Sequence, residues 1–501
     1  MSDYLSKSRY CSAVQCPKML WLKDHKAEEA DTSVMNQAVL DTGSEVGDLA
    51  MGMFGEYTEI PFSDDLHTML SLTDELIRKG TRVIAEASFS FNGCFCSVDI
   101  LKNIDGHTVE LYEVKSSTSV HEIYKYDVSY QYYVLKSLGY DVRKACLVHI
   151  NSRYVRHGEL DLSQYFVIED LTKTAEDHYK ETEKNIALFR TYNSSETEPV
   201  KEISEACSDP YDCIFYRYCS RDLPSPNVFD LAAVQKRTKW KYYRDGYISF
   251  EDLYCSGKLN ENALIQVDHE IHDLPEYVNT EAITRTLDAL SYPLYFLDFE
   301  SFNPAVPPYD DTRPFEQIVF QYSLHYIEYE GGPLVHKEFL AYPGKDPRRS
   351  VAEHLVQDIP LNVCTTAYNM TFEKTRIKEL AELYPDLSGH LLNIRDHIQD
   401  LMIPFQKKYF YRKAMQGSYS IKYVLPALYP DDPSLDYHHL EGIHNGAEAS
   451  DAFKAMARMD QKQLEQYRNY LLKYCGLDTF AMVKVWESLN EKAGRVLNKT
   501  W

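Results

Sequence analysis

Between Arg82 and Lys115 the chain alternates apolar and polar residues in three short runs, VIAEASFSF, CFCSVDIL and TVELYEVK, separated by Asn92-Gly93 and Asp105-Gly106. A period of two fits strands with one face in a core, and an Asn-Gly or Asp-Gly pair supplies the positive φ angles of a tight hairpin. Ser116 to Lys136 then reads as a helix closed by Gly139, and KACLVHI as a further strand. This β-β-β-α-β order restricts the region to a mixed α/β core.

A second α/β unit opens at Pro293 with LYFLDFES, continues through FEQIVFQYSLHYI and VCTTAYNMTFEKTRIKELAEL, and ends in helices. Residues 1–50 and 171–192 read as helical, Pro224-Ser225-Pro226 marks a boundary, and DGYISFEDL suggests a helical hairpin within a helical stretch over 228–290. The expected organisation is a domain at 1–225, a helical linker at 226–289 and a domain at 290–501, within the two to four domains that 501 residues allow.

With 53 basic and 76 acidic residues the formal charge is −23, which excludes wholesale electrostatic binding to nucleic acid. Work on a polyanion must then use local basic groups or metal ions held by carboxylates. Eleven cysteines are too sparse, and odd in number, for a disulfide framework, so a reducing cytoplasm with thiols free to bind a metal or cluster is expected. No apolar run approaches the ~20 residues of a membrane span, and the polar start Met1-Ser2-Asp3 does not read as a signal peptide. A membrane partner is therefore not expected. The 40 tyrosines suit stacking surfaces or, more simply, half-buried packing.

Three constellations carry chemistry. Glu113 and Lys115 lie two apart on one strand, hence on one face, and Asp99 ends the preceding strand within reach of it. Two carboxylates and a lysine are what metal-dependent phosphodiester cleavage uses. The acids hold Mg²⁺ or Mn²⁺, and the lysine orients the water that the metal activates. The second constellation is Cys207, Cys213 and Cys219, spaced C-x5-C-x5-C, too loose for the paired knuckles of a zinc ribbon. Three such thiolates with one distant partner can hold a [4Fe–4S] cluster, with zinc as the alternative. The third is Asp298 and Glu300 on one strand face, Asn369 and Glu373 where a strand opens into a helix, and Tyr474 and Asp478 four apart on a helix. Four acids converging this way can hold two metal ions.

The first constellation, with Gln131 on the following helix, resembles the PD-(D/E)XK nuclease fold and, more narrowly, its RecB-type branch. That resemblance implies that Gln131 supports the active site. Glu86 is a candidate further ligand. The branch usually has a histidine four residues after an early glycine; here Gly47 follows Gly43, with Glu45 and Asp48 as possible substitutes. Leu135 stands where the branch has a tyrosine. The cysteine set resembles the iron–sulfur staple of AddB-type and CRISPR-adaptation nucleases. The likeness implies that Cys16, in CPKMLWL, is the fourth ligand, with Cys11 its competitor. The third constellation resembles the DEDD exonucleases of the DnaQ-like, ribonuclease-H-like superfamily. In the tyrosine-bearing subtype, Tyr474 would position the attacking water.

Glu373 stands where that superfamily has aspartate, and Asp396 or Asp400 is a candidate to compensate. His444 is a lesser candidate base, and Lys422 a candidate substrate contact. Together the resemblances imply a cytoplasmic, metal-dependent nuclease acting on DNA, in repair or defence against foreign DNA. The alternatives are an RNA-directed exonuclease and a catalytically weakened nucleic-acid-binding adaptor.

Overall fold

The structure is a computed structural model that describes residues 4–34 and 37–498; the start Met1-Ser2-Asp3 lies outside the described residues. The chain is mixed α/β and divides into two compact units. One comprises residues 1–222 with 304–316, the other 223–303 with 317–501. The segment 226–289 is helical and belongs to the second unit.

The first unit begins with a short strand β1 (Leu5–Ser6), helices α1 (Lys7–Gln15), α2 (Pro17–His25) and α3 (Gln37–Met51), a short strand β2 (Thr58–Glu59) and α4 (Leu66–Arg78). The expected core follows: β3 (Val83–Phe91), β4 (Cys94–Asn103), β5 (Thr108–Lys115), α5 (Glu122–Ser137) and β6 (Asp141–Ile150), then β7 (Phe166–Asp170) and α6 (Thr172–Asn193). The sheet order is β2-β3-β4-β5-β6-β7, with β1 beside β4. The β3–β4 turn places Asn92 at φ 45° and Gly93 at φ 72°, the double positive φ that its sequence demands. At the β4–β5 turn the Asp105 carboxylate accepts from the backbone amides of His107 and Thr108, and Gly106 takes φ 88°. β5 and β6 are parallel, so α5 must cross over between them.

Many tyrosines pack the interior. Tyr10 on α1 stacks on Tyr130 of α5 at 4.7 Å between ring centres, and both are fully buried. The Tyr130 hydroxyl donates to the Leu5 carbonyl, which ties β1 to α5.

The second unit opens with helices α7 (Lys236–Arg244), α8 (Phe250–Ser256) and α9 (Glu261–Ile271), strand β8 (Tyr277–Val278) and α10 (Thr280–Asp288). The α7–α8 pair turns at Asp245-Gly246, as DGYISFEDL suggests. Its sheet then forms from β9 (Leu294–Phe302), β10 (Ile318–Ile327), β11 (Leu334–Leu340), β12 (Cys364–Ala367) and β13 (Ile398–Asp400), while β14 (Phe410–Tyr411) pairs with β8. The order is β11-β10-β9-β12-β13; β9 is central, antiparallel to β10 and parallel to β12. Helices α11 (Arg348–Asp358), α12 (Met370–Leu383), α13 (Ser388–Asp396), α14 (Ile421–Leu428), α15 (Gly446–Met456) and α16 (Gln461–Lys492) complete the unit.

Alternation along β9 divides its residues. Tyr295, Leu297 and Phe299 join the core that includes residues of α11, α12 and α13, while Phe296 meets Trp486 of α16. Asp298 and Glu300 share the face of Phe296. No helix among the described residues is long and apolar enough to cross a membrane.

Candidate metal centres

In the first unit, the sheet register builds a row of acids. Ile100 pairs with Tyr112, so one step further Asp99 lies across from Glu113; Ala85 pairs with Ile100, so Glu86 lies across from Asp99 on the other side. Asp99 therefore sits inside β4, which continues to Asn103, and does not end the strand as expected: Ile100 and Leu101 are fully buried and carry the strand onward. The β3–β4 ladder skips the Glu86–Asp99 pair, and Glu86 holds φ 55°, a conformation that costs about 1–3 kcal/mol for a residue with a Cβ. Such strain tends to be kept where a side chain must be aimed.

Like charges across adjacent strands repel unless a cation joins them. Here two do. Lys7 Nζ, from the first residue of α1, lies 2.9 Å from Asp99 Oδ1 and 3.1 and 2.9 Å from the two oxygens of Glu113. Lys115 Nζ donates to Glu113 Oε1 at 2.7 Å and to Asp127 Oδ2 on α5 at 2.8 Å. Gln131, one helical turn after Asp127, donates to Glu113 Oε2 at 2.7 Å and Asp127 Oδ1 at 2.9 Å. The Val114 amide donates to Asp99 Oδ2 at 2.7 Å.

Burial works against the Glu113 charge, yet Lys115 and Lys7 hold its carboxyl well below the usual range. Burial and the neighbouring Glu113 push Asp99 up to about 6, and burial and Asp99 push Glu86 up to about 7. Asp99, Glu113, Lys115 and Gln131 thus come together as expected. Lys7 and Asp127 join them unforeseen. Asp127 had a signal, its i−4 spacing from Gln131 on one helical face; Lys7 had none. Glu45 and Asp48 on α3 are exposed, and among the described residues no hydrogen bond or ion pair joins either to Asp99 or Glu113. Among the described residues a Cβ at Gly47 would meet nothing within 4 Å, so the helix there faces open space.

An ammonium bridging Asp99 and Glu113 stands in for a cation, and the donor set, hard carboxylate oxygens, suits Mg²⁺ or Mn²⁺. The residues present fit such an ion.

At the other end of α1, Cys16 ends that helix and begins α2. It lines one small cavity together with Cys207, Cys213 and Cys219, walled by Met19, Leu22, Ile203 and Phe215. The Cys213 amide donates to the Cys207 carbonyl at 2.9 Å, which folds the C-x5-C loop back on itself. Burial raises the Cys207 and Cys219 thiols, and burial with the facing thiols raises Cys213 to about 11. Cys11 packs with the hydrophobic core of the first unit and, electrostatically, faces Asp127 and Lys115. Between the two cysteines weighed for the fourth position, Cys16 is the one at the cavity. The four thiols share this cavity, but among the described residues their sulfur atoms do not all gather within 4.8 Å of one another.

In the second unit, Asp298, Glu300 and Cys475 each offer a ligand atom within 4.8 Å of the others. Cys475 Sγ lies 3.9 Å from Asp298 Oδ2. Tyr474 and Cys475 are buried on α16 with Asp478 half-buried one turn on, and Glu373 comes from the first turn of α12. Burial raises Asp298 and Glu300 well above the carboxylate range, with Asp478 the leading charged neighbour of both; Glu373 is also among the acids that bear on each. Burial brings Asp478 to about 6 and Glu373 to about 8. Glu373 Oε2 is buried and, among the described residues, has no hydrogen-bond partner. Acids held together with an orphaned oxygen fit a divalent cation.

Tyr437 was not anticipated. Its hydroxyl donates to Asp478 Oδ1 at 2.7 Å, and its ring meets Tyr474 edge-on at 6.1 Å. Lys422 Nζ lies 5.6 and 5.9 Å from the centres of these two rings, at the rim of the acids. Asp400 is the leading charged neighbour of Glu373, and its oxygens are also engaged by the backbone. Its carboxylate accepts from the amides of Asn369, Met370 and Met402, capping the start of α12, which has Asn369 in the left-handed region at φ 75°. Asp396 is exposed and paired with Arg395. His444 pairs with Glu448 on α15.

A family model described as "Domain of unknown function (DUF2779)" matches residues 295–420, from β9 to the loop before α14. The chain is 27% identical over 212 residues to "Uncharacterized protein UU173" of Ureaplasma parvum serovar 3, covering 38% of this chain and 30% of the relative. It is 28% identical over 208 residues to "Uncharacterized protein MG366 homolog" of Mycoplasma pneumoniae, covering 38% and 31%. The chain thus spans less than a third of the length of these curated relatives. No solved structure matches it. The family match takes in Asp298, Glu300 and Glu373 of the second centre and ends before Tyr437, Tyr474 and Asp478.

Proposed function

We propose that the chain is a metal-dependent nuclease with two separate centres, hydrolysing phosphodiester bonds of nucleic acid. DNA is the expected polymer because of the likeness of the first centre to RecB-type nucleases. The observation that carries the reading is the row Glu86, Asp99 and Glu113 across three neighbouring strands, with Lys115 held beside it by Asp127. A bound Mg²⁺ or Mn²⁺ supplies a water of lowered pKa and neutralises phosphate charge. Asp99 and Glu113 would hold the ion. Lys115, fixed by two acids, keeps an ammonium where the attacking water must be oriented. Gln131 fixes the Glu113 carboxylate, and its rigidity comes from complete burial on α5.

In the second centre Asp298, Glu300, Glu373 and Asp478 would hold metal, and Tyr474 and Tyr437 would orient the groups around Asp478. The acids on the central strand of a five-stranded sheet support a ribonuclease-H-like reading of the second unit, as the acid row supports a PD-(D/E)XK reading of the first. The four-thiol cavity supports a [4Fe–4S] cluster on Cys16, Cys207, Cys213 and Cys219. A thiol site of this kind suits a reducing cytoplasm.

The test is cleavage of end-labelled single- and double-stranded DNA and RNA with Mg²⁺, Mn²⁺ or chelator. Metal-dependent cleavage that disappears in a Lys115→Ala, Asp298→Ala double variant is expected. Wild-type protein that binds these polymers and cuts none of them would replace the nuclease reading with that of a binding adaptor.

A further inference from the structure

We propose that Lys7 is a built-in competitor of the divalent ion at the first centre: its ammonium holds the space between Asp99 and Glu113, and the ion enters only as Lys7 leaves. The proposal rests on the metal-dependent reading above.

Each oxygen of the two acids already has a partner. Asp99 Oδ2 takes the Val114 amide and Asp99 Oδ1 takes Lys7. Glu113 Oε1 takes Lys115 and Lys7, and Glu113 Oε2 takes Gln131 and Lys7. An Mg²⁺ needs these oxygens at about 2.0–2.1 Å, so it cannot share them with an ammonium held between them. One partner must yield. The Val114 amide belongs to the sheet, and Gln131 is fully buried. Lys115 is tied to Asp127 by a second ion pair. Among the described residues Lys7 makes its ion pairs only to the two prospective ligands, and its side chain is 24% exposed, so solvent offers it a way out.

The backbone that carries Lys7 is fixed, so its aim is built into the fold. Leu5 and Ser6 pair with Cys94 and Phe95 of β4, the strand of Asp99, and Ser6 caps α1. Without metal the ammonium offsets two facing carboxylates that would otherwise repel across adjacent strands. A site arranged this way stays folded when empty and requires enough free metal to displace its own cation.

The experiment is calorimetric titration of Mn²⁺ into the full chain carrying Asp298→Asn and Asp478→Asn, so that the first centre is read alone. Adding Lys7→Met, which keeps the apolar stem, should tighten Mn²⁺ binding about tenfold, the worth of one lost charged hydrogen-bond competitor. Lys7→Arg, which keeps the charge, should bind no tighter than the parent. Lys7→Gln serves in place of Lys7→Met if thermal melting shows the latter unfolded. Unchanged or weaker Mn²⁺ affinity in a folded, uncharged Lys7 variant overturns the competitor role while leaving the metal-dependent reading intact. Absence of Mn²⁺ binding in parent and variants alike overturns both.

Discussion

Lys7 and Cys16 stand at opposite ends of α1, the first between Asp99 and Glu113 and the second at the four-thiol cavity. The helix is nine residues long and is held on α5 by the Tyr10–Tyr130 stack. Beside Cys16, Gln15 donates to the carbonyls of Ala206 and Tyr211 at 2.7 Å, joining α1 to the loop that carries Cys207 and Cys213. Whatever orders the thiols therefore orders the helix that ends at the acids.

Cys213→Ser should lower the melting temperature of the first unit and remove any visible iron–sulfur absorbance from anaerobically purified protein. Loss of cleavage by the first centre would follow from the loosened helix, and Mn²⁺ affinity there would change with it. Wild-type protein holding stoichiometric zinc, without iron or acid-labile sulfide, would replace the cluster by a zinc site.

The two centres should be separable. Lys115→Ala removes the ammonium held by Asp127 and leaves the second unit's acids untouched; Asp298→Ala does the reverse. Each single variant is expected to keep part of the activity on end-labelled substrates, and only the double variant to lose all of it. An Asp298→Ala protein that matches wild type on every substrate would show that the second centre does not cut.

Tyr437→Phe keeps the ring against Tyr474 and deletes only the hydroxyl that bonds Asp478. Removing an outer partner of a metal-binding carboxylate typically costs about 10–100-fold in affinity or activity, and a loss of that order is expected in the activity remaining to a Lys115→Ala background. Unaltered turnover there would exclude Tyr437 from the second centre.

The second centre should also show itself in stability against pH. Burial and the facing acids raise Asp298 well above the carboxylate range, and burial brings Asp478 to about 6 and Glu373 to about 8. Such groups bind protons more tightly folded than unfolded, so metal-free stability falls as pH rises from the ordinary carboxylate value near ~4 through these raised values. Asp298→Asn removes one of the crowded charges. Without metal it should melt higher than wild type at about pH 8 and differ little at about pH 5. Equal differences at both values would mean that the acids do not interact as their geometry indicates.

Local chemistry in the sequence settled a good part of this molecule. Asn92-Gly93 dictates a turn because few other pairs adopt two successive positive φ angles, and alternation from Val83 to Lys115 dictates which side chains share a sheet face. Spacing alone also paired Glu113 with Lys115, Asp298 with Glu300, and Tyr474 with Asp478, because i+2 on a strand and i+4 on a helix are fixed by backbone geometry. Contacts between elements distant in the chain obey no such period. Lys7 reaches Glu113 across 106 positions, and Tyr437 reaches Asp478 across 41, through the packing of α1 against the sheet and of a loop against α16. Asp400 shows the same limit from the other side: its spacing suits a ligand, and only the folded chain turns its oxygens to the orphan amides at the start of α12. The sequence by itself determined which residues share a face; the tertiary structure alone decided which faces meet, because burial and charge are satisfied by neighbours in space and not along the chain.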